Sequence, residues 1–369
     1  MVNGRWSMCS RITDHPLTIN HQPLTSMKEA VMSKRRLRIG VIGCGGIFRG
    51  QHLPYYQKSD LAEVLAVADV DKARAKEVAE KLKAPFHSDN PNDILKRDDL
   101  DVVDISTHPE NHCALTVAAT AAGKHVLIEK PMCISVAEAD DMIAAAEKAK
   151  VKLAVAYPLP FDPAFQRVKD LIDKKAIGDL VSLRFTSMSF FNAPQHPWLF
   201  RKEKSGGMFV ENTIHWINAF LWWGGPVEEV SAFTKTVPCH AAYQPVDGAI
   251  ESEIVAILRF QKGAIGAMTQ SWSARLGSFE AGIVGSEGGI NFTHTKFTIK
   301  AKGSDKVEEI ERSKTAGADA KARCLEHFLR CVLDDETPCT SGEVGRADVE
   351  VAEAAYIAAA EKRVVELPL

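Results

Sequence analysis

The feature that most constrains the fold is a glycine-rich turn directly after a short apolar run. Residues 37–42 read Leu-Arg-Ile-Gly-Val-Ile, and Gly43, Cys44, Gly45 and Gly46 follow at once. A run of this length that is apolar nearly throughout is typical of a parallel strand buried on both faces. Glycines at its end permit a tight turn into a helix. The pattern therefore predicts an α/β unit at this point of the chain.

Apolar runs and helical patterns continue to alternate as far as residue 156. The second run ends at Asp69, and a helical pattern follows over residues 71–82. Such alternation predicts a parallel, doubly wound α/β sheet, the Rossmann arrangement. The predicted strands after the first cover residues 64–68, 85–86, 102–105, 125–128 and 153–156.

After Tyr157 the pattern changes to β-rich runs, several of which alternate in polarity. They predict a C-terminal α+β domain with a large, mainly antiparallel open sheet of about six or more strands. The predicted strands cover residues 181–185, 230–236, 253–258, 265–271, 279–284 and 297–300. The predicted helices cover residues 165–174, 211–223, 322–333 and 346–363.

The length of the chain indicates two domains, because 369 residues are too many for one ordinary core. We predict a Rossmann domain over residues 34–156 and a second domain, for substrate binding and oligomerisation, over residues 157–369. Residues 1–33 lack a sustained apolar period. We therefore expect them to form a disordered N-terminal extension.

Composition excludes several classes of partner. A formal net charge of −3 provides no basic field for nucleic-acid phosphates. The eight cysteines form no CxxC pair and no metal-ligand spacing, which is typical of reduced thiols. The sequence has no run of about eighteen apolar residues and no secretory signal pattern. We expect a cytoplasmic protein with no nucleic-acid or membrane partner.

The glycine turn is a candidate binding site for a pyrophosphate. Gly43, Gly45 and Gly46 allow close backbone approach to the anion, and the helix that begins near Ile47 offers unpaired N–H groups. Phe48 stands where the usual fingerprint has its third glycine. A purely structural turn is therefore the alternative, but the strand before it and the helix after it favour dinucleotide binding.

Asp69 lies at the end of the second predicted strand, 26 residues after Gly43. A carboxylate at this position can accept hydrogen bonds from both adenosine ribose hydroxyls and would repel a 2′-phosphate. This favours NAD over NADP as the cofactor. The alternative is an aspartate that only forms a turn.

Lys130 follows the apolar run of residues 126–128 in the sequence Glu129-Lys130-Pro131. The carboxyl ends of parallel strands are where doubly wound folds bind their ligands, so Lys130 is expected to face the cleft. A solvated lysine at a strand end is the alternative.

Glu211 and His215 are four residues apart and are predicted to share one helical face. In that relation a carboxylate can orient an imidazole and raise its basicity. The alternatives are a surface salt bridge and a pair of metal ligands. No third ligand is evident, so we predict no metal.

Together with their order along the chain, these motifs identify a family resemblance. Across roughly residues 36–369 the chain resembles the glucose-fructose oxidoreductase and inositol dehydrogenase (Gfo/Idh/MocA) family. The resemblance rests on the glycine turn with His52 beyond it, Asp69, the loop Ser106-Thr107-His108-Pro109-Glu110-Asn111-His112, Gly123-Lys124-His125-Val126, Glu129-Lys130-Pro131, the double glycine before His215, and Gly285-Ser286-Glu287-Gly288.

The resemblance implies reversible hydride transfer between a nicotinamide, with NAD favoured, and a secondary alcohol of a sugar, cyclitol or related polyol. It also implies a homodimer or homotetramer formed through the C-terminal sheet. Many family members have an aspartate where this chain has Glu211, and an aspartate is common where it has Asn218. These departures leave the acid-base pair intact but do not identify the substrate.

The resemblance also assigns site residues. It implies that Lys130, whose bond to Pro131 is often cis in the family, is the active-site lysine and that His215 is the catalytic histidine. Because imidazole titrates near neutral pH, we expect His215 to be the general base, Glu211 to hold its ring and Lys130 to stabilise the alkoxide. The expected cofactor contacts are Gly43, Gly45, Gly46, Ile47, Asp69, Ser106, Thr107, His108, Glu129 and Lys130. The expected substrate contacts are Lys130, Tyr157, Trp198, Arg201, Asn212 and His215; for Tyr157, Trp198, Arg201 and Asn212, packing or a solvated loop position is the alternative.

Two other functions remain open at this stage. Some relatives hydrolyse glycosides through transient oxidation by tightly held NAD, and retention of the cofactor through purification would favour that reading. The fold could also serve a non-catalytic regulator that senses a dinucleotide. The presence of Lys130, Glu211 and His215 argues against the regulator, because a sensor needs no proton relay.

Overall fold

A computed structural model describes residues 35–237, 249–293 and 295–369. The extension predicted for residues 1–33 lies outside the described residues. The described part of the chain contains two β-sheets, one of six strands and one of nine. The predicted combination of a doubly wound parallel sheet with a large, mainly antiparallel sheet is confirmed.

The first sheet is parallel throughout, with the strand order β3-β2-β1-β4-β5-β6. The order reverses between β1 and β4, so the connections that leave these two strands diverge and open a crevice at their carboxyl ends. The strands are β1 Leu37–Ile42, β2 Ala62–Ala68, β3 Phe86–Ser88, β4 Val102–Ile105, β5 His125–Ile128 and β6 Leu153–Val155.

Helices alternate with these strands. The connection after β1 forms a π-helical turn, Phe48–His52, before it continues as α1. Asp71 caps α2 by accepting hydrogen bonds from the backbone N–H groups of Ala73 and Arg74, as a short acidic side chain at a helix start does. The helices are α1 Leu53–Tyr56, α2 Lys72–Leu82, α3 Asn92–Leu95, α4 His112–Ala121 and α5 Val136–Ala149.

The second sheet has the order β14-β13-β12-β11-β7-β10-β9-β8-β15 and one parallel pair, β7 with β10. Its strands are β7 Leu180–Phe190, β8 Val227–Lys235, β9 Glu253–Phe260, β10 Ile265–Ser271, β11 Ser273–Gly285, β12 Gly289–Phe292, β13 Lys296–Lys300, β14 Val307–Glu311 and β15 Val365–Glu366. The remaining helices are α6 Pro163–Asp173, α7 Lys202–Ser205, α8 Met208–Glu211, α9 Ile214–Gly224, α10 Ala316–Leu333 and α11 Gly342–Glu361.

The second sheet buries one face and exposes the other. Along β9 the side chains alternate between buried and outward positions, as expected for a strand with period two. Helices α9 and α11 pack against strands β7 and β8. The outward face carries Phe233, Val255 and Ile257, with Phe233 74% exposed. Among the helices of the described ranges, none has the length and apolar content needed to cross a membrane.

Helix α10 comes near the end of the chain but packs against the first sheet. Its residues Cys324, Leu325 and Phe328 belong to the same buried apolar cluster as Phe48 and Val67, which lie after β1 and in β2. The core of the first sheet is therefore completed by a segment that follows almost the whole second sheet.

Candidate active site

The turn after β1 requires glycine at its first position and is open at the next two. Gly43 has a φ of +98°, and a β-carbon there would lie 2.5 Å from the carbonyl oxygen of Ser106. A β-carbon at Gly45 or Gly46 would meet no atom within 4 Å. The backbone of the turn is thus accessible from the crevice, which fits the approach of a dinucleotide pyrophosphate.

Asp69 is bound to this turn. Its carboxylate accepts hydrogen bonds from the backbone N–H groups of Cys44 at 2.7 Å and Asp71 at 2.9 Å. The guanidinium of Arg74 lies 3.2 Å from the same carboxylate. Arg74 was not predicted from the sequence, although α2, which is capped by Asp71, places residue 74 in its first turn, where the side chain can reach back to the strand end.

A cleft of about 1090 Å³ lies beside the glycine turn and is lined from both sheets' connecting segments. Twelve of the residues expected to bind cofactor or substrate, or to act in catalysis, line it: Gly45, Gly46, Ile47, Ser106, Thr107, His108, Glu129, Lys130, Trp198, Arg201, Glu211 and Asn212. Residues not singled out from the sequence also line it, among them Arg49, Arg74, Phe191, Gln195, His196 and Trp272.

Two aromatic rings meet at the wall of the cleft. The imidazole of His108, from the loop after β4, stacks on the indole of Trp198, with ring centroids 4.3 Å apart and planes 19° apart. Burial lowers the pKa of His108. Because the two residues come from different sheets' connections, the stack joins the two sides of the cleft.

Lys130 faces the cleft at the end of β5 and is paired with Glu211. Its Nζ donates to Oε1 of Glu211 at 2.7 Å and to the backbone oxygen of Glu211 at 2.9 Å. The bond between Lys130 and Pro131 is cis, as the resemblance implies.

The expected pairing of Glu211 with His215 is not found in the structure. The helix predicted over residues 211–223 is interrupted, because α8 ends at Glu211 and α9 begins at Ile214. The break removes the relation of two residues four apart on one continuous helix, and the Glu211 carboxylate turns to the ammonium of Lys130 instead.

His215 is half-buried, and its Nδ1 is enclosed with no hydrogen-bond partner among the described residues. Burial, together with the cations of Lys130 and Lys321, lowers the pKa of His215 to about 3. The imidazole is therefore neutral near pH 7. The edge of the Tyr157 ring contacts it, with centroids 6.4 Å apart.

Tyr157 differs from its expected role as a substrate contact. It is only 1% exposed and packs behind His215 rather than in the cleft wall. Burial, together with the nearby Asp348 of α11, raises the pKa of the Tyr157 phenol. Asn218, one turn after His215, donates from Nδ2 to Asp348 at 2.9 Å. Burial also raises the pKa of Asp348 well above its usual value.

A chain of buried charged groups lies beneath the cleft. Nδ1 of His52 is 2.7 Å from Asp104, and Nε2 is 2.7 Å from Oε1 of Glu129. Burial opposes a charge on His52, but the two carboxylates raise its pKa to about 9. Since both ring nitrogens face carboxylates, the imidazole is cationic and donates twice. Nζ of Lys321 lies 2.5 Å from the same Glu129 oxygen.

His52 was predicted only as part of a motif, and Lys321 was not predicted. The sequence signal at Lys321 was weak, because a lysine within a helical pattern normally lies on the solvent side. Within the described ranges, no three acidic, histidine or cysteine side chains are grouped so as to hold a metal ion.

Family models match most of the described chain. Residues 37–157 match the model described as the oxidoreductase family with an NAD-binding Rossmann fold. Residues 165–291 match the model of the GFO/IDH/MocA C-terminal domain.

Curated relatives match along nearly their full length. The chain is 30% identical to myo-inositol 2-dehydrogenase of Thermotoga maritima, over 90% of this chain and 98% of the relative. It is 29% identical to scyllo-inositol 2-dehydrogenase (NAD(+)) of Bacillus subtilis, over 87% of this chain and 94% of the relative. A solved structure of levoglucosan dehydrogenase in complex with NADH and levoglucosan has the same fold, with a TM-score of 0.82, 22% identity, and coverage of 91% of this chain and 100% of that one.

Proposed function

The chain belongs to the Gfo/Idh/MocA family of oxidoreductases and uses NAD, and from this premise we propose that it oxidises or forms a secondary alcohol on a sugar, cyclitol or related polyol. The observation that carries the proposal is the Lys130–Glu211 pair in the cleft beside the open glycine turn. Bound NAD supplies the hydride acceptor. The protein must then bind the alcohol, orient it and remove its hydroxyl proton.

We assign these tasks to three side chains. Lys130 donates to the substrate oxygen and stabilises the charge that develops on it. Glu211 accepts a hydrogen bond from Nζ of Lys130 and fixes the direction of the ammonium. This proposed role replaces the one expected from the sequence, in which Glu211 holds the ring of His215. His215 takes the hydroxyl proton, for which its neutral imidazole has a free lone pair.

The low pKa of His215 makes proton transfer dependent on Lys130. An imidazole with a pKa of about 3 is a weak base before substrate binds. The negative charge that develops on the substrate oxygen, held by Lys130, favours the protonated imidazole beside it. Lys130 and His215 therefore act together. Without Lys130 the charge on the substrate oxygen is not stabilised, and without His215 the hydroxyl proton is not accepted.

Trp198, Arg201 and Asn212 are the proposed contacts to the rest of the substrate. All three line the cleft on the side of the second sheet. An indole face suits the apolar face of a sugar-like ring, and the guanidinium and amide groups suit its hydroxyls. We further propose the inositol and sugar dehydrogenase relatives as the guide to substrate class.

A substrate panel tests the proposal. Sugars, uronates, cyclitols and anhydro-sugars are each incubated with NAD, and NADH formation is followed by absorbance. We expect turnover with at least one polyol. Glycoside cleavage without net NADH, by protein that retains its cofactor through purification, would instead indicate the hydrolase. NAD binding without turnover of any compound would favour a dinucleotide sensor.

We also propose a homodimer or homotetramer formed through the outward face of the second sheet. Phe233, Val255, Ile257 and Ile265 on its strands are between 45% and 74% exposed, which is a large apolar surface for a monomer. Replacing Val255 and Ile257 with glutamate is expected to lower the mass measured by light scattering. Leu333→Glu, at an exposed apolar position on α10, is the control that leaves the mass unchanged.

The domain bounds and the cellular location are also proposed. Residues 34–156 form the cofactor domain, and residues 157–369 form the domain for substrate binding and oligomerisation. A cytoplasmic location is proposed because the described cysteines are free thiols, as expected in a reducing compartment.

A further inference from the structure

We infer that Lys321, on α10, positions Lys130 from beneath the cleft by holding the carboxylate of Glu129. Lys321 is only 2% exposed. Its Nζ lies 2.5 Å from Oε1 of Glu129 and 2.6 Å from the backbone oxygen of Ala156. The inference rests on the proposed function, since the effect of the contact is expected in catalysis.

The two contacts hold the ends of neighbouring strands. Glu129 follows β5 directly, and Ala156 follows β6. The other oxygen of Glu129 accepts the backbone N–H of Lys130 at 3.1 Å. One ammonium group thus fixes the backbone on which Lys130 is mounted and the segment that leads into Tyr157, whose ring contacts His215.

Charge balance shows why a cation is needed here. Among the described residues of the chain beneath the cleft, Asp104 and Glu129 supply two carboxylates, and His52 and Lys321 supply two cations. Buried charges are tolerated only when paired, and removal of one partner leaves the other uncompensated. Burial opposes the charge on Glu129, but Lys321 and His52 hold its pKa well below the usual range.

Loss of Lys321 would therefore redirect Glu129. Lys130 is a cation of the cleft wall that follows Glu129 directly in sequence. An uncompensated Glu129 carboxylate would compete with Glu211 for Nζ of Lys130. The ammonium would then leave the direction in which Glu211 holds it, and the substrate oxygen would lose its donor.

The test compares Lys321→Met with a matched control, Lys124→Met. Lys124 is also a buried lysine, 5% exposed, and its Nζ donates to the backbone oxygen of Leu100 at 2.9 Å. It does not line the cleft. Both variants should melt at lower temperature. Only Lys321→Met should lower kcat, by about tenfold to a hundredfold, because a small misplacement of a catalytic group has an effect of this size.

A second readout does not require turnover. The groups that act on His215 are Lys130, Lys321 and Glu129, and the Tyr157 ring packs on it. Because Lys321 lowers the pKa of His215, Lys321→Met should raise that pKa in the NMR titration of labelled histidine in the cofactor-free protein. Lys124→Met should leave it unmoved. If wild type turns over no compound, the proposed function fails, while the titration still tests the contact.

The double variant Lys321→Met/Glu129→Gln keeps the test decisive if Lys321→Met does not fold. Removing both charges restores neutrality, so we expect the double variant to melt above Lys321→Met. Its His215 pKa should lie above that of Glu129→Gln alone, since Glu129 raises the pKa and Lys321 lowers it. Equal kcat in the Lys321→Met and Lys124→Met variants, with the His215 titration unmoved, would overturn the inference.

Discussion

We propose different tasks for Lys130, Glu211 and His215 because their contacts differ. Lys130 faces the cleft with its ammonium bound by Glu211, whereas His215 stands apart from that pair and is held by packing against Tyr157. A variant at each position is therefore expected to impair the reaction through a different contact. We expect binding of the adenosine end of NAD to depend on none of the three.

His215→Ala and Lys130→Ala should each lower kcat by about a hundredfold or more, because each removes proton transfer or charge stabilisation in the transition state. Glu211→Gln should cost less, since its backbone oxygen still accepts from Nζ of Lys130. Steady-state kinetics measures kcat. NADH fluorescence titration measures the cofactor affinity, which should change little. A near-normal kcat in His215→Ala, with an unmoved pH profile, would assign the base to another residue.

We expect Asp69 and Arg74 to set the preference between NAD and NADP. NADH should raise the melting temperature more than NADPH at equal concentration, because the Asp69 carboxylate repels a 2′-phosphate. Asp69→Asn should narrow the difference. Arg74→Ala should widen it, because it removes the cation beside that carboxylate. A larger shift with NADPH in the unmodified protein would contradict the assignment.

Single residues were predictable from sequence where a motif fixes them, and were missed where a tertiary contact does. The position of Lys130 in the cleft follows from the geometry of a parallel sheet, and that of Ser106 was expected from the family resemblance. The contact between Glu129 and Lys321 joins positions far apart in the chain, so no local sequence pattern predicts it. Tyr157 was misjudged because its position at the end of a strand says nothing about which side its ring takes.

At the scale of elements, the glycines of the turn after β1 differ in what they require. Gly43 is needed for its backbone conformation, whereas Gly45 lies beside open space. Gly43→Ala should lower the melting temperature strongly, since its φ is positive and its β-carbon would meet the Ser106 backbone. Gly45→Ala should fold normally, because its β-carbon meets no protein atom, yet weaken NAD binding by occupying the approach to the turn. Thermal melts with and without NAD distinguish the two. Equal loss of fold in both variants would refute the distinction.

Buried apolar strands were predicted closely, including the short strands β4 and β5, whereas polar or interrupted elements were not. Strands β1 and β10 have the predicted bounds. Strand β14 was missed because three of its five residues are glutamate, a composition acceptable only at a sheet edge. The break between α8 and α9 contains neither glycine nor proline, so local propensity gave no reason to place one there.

For the whole molecule, the shifted pKa values of His52 and His215 predict a maximum in stability near pH 6.5. The pKa of His52 is raised to about 9, so its contribution is present below its unfolded value of about 6.5 and is lost as pH rises through 9. The pKa of His215 is lowered to about 3, so its contribution is present above about 6.5 and is lost as pH falls towards 3.

Urea unfolding between pH 5 and pH 9, in about unit steps, measures this dependence. The free energy of unfolding should decline on the alkaline side, and His52→Gln should flatten that decline. A free energy that rises steadily from neutral to alkaline pH in the wild type would show that His52 is neutral in the folded protein.

Helix α10 has a consequence for the order in which the chain is made. The first sheet leaves the ribosome early, but the apolar surface around Phe48 stays uncovered until α10 has been synthesised. We expect a fragment of residues 35–157 to be insoluble alone and to be rescued by a separate peptide of residues 314–334. The core of the first sheet can therefore be completed only after almost the entire chain has been synthesised.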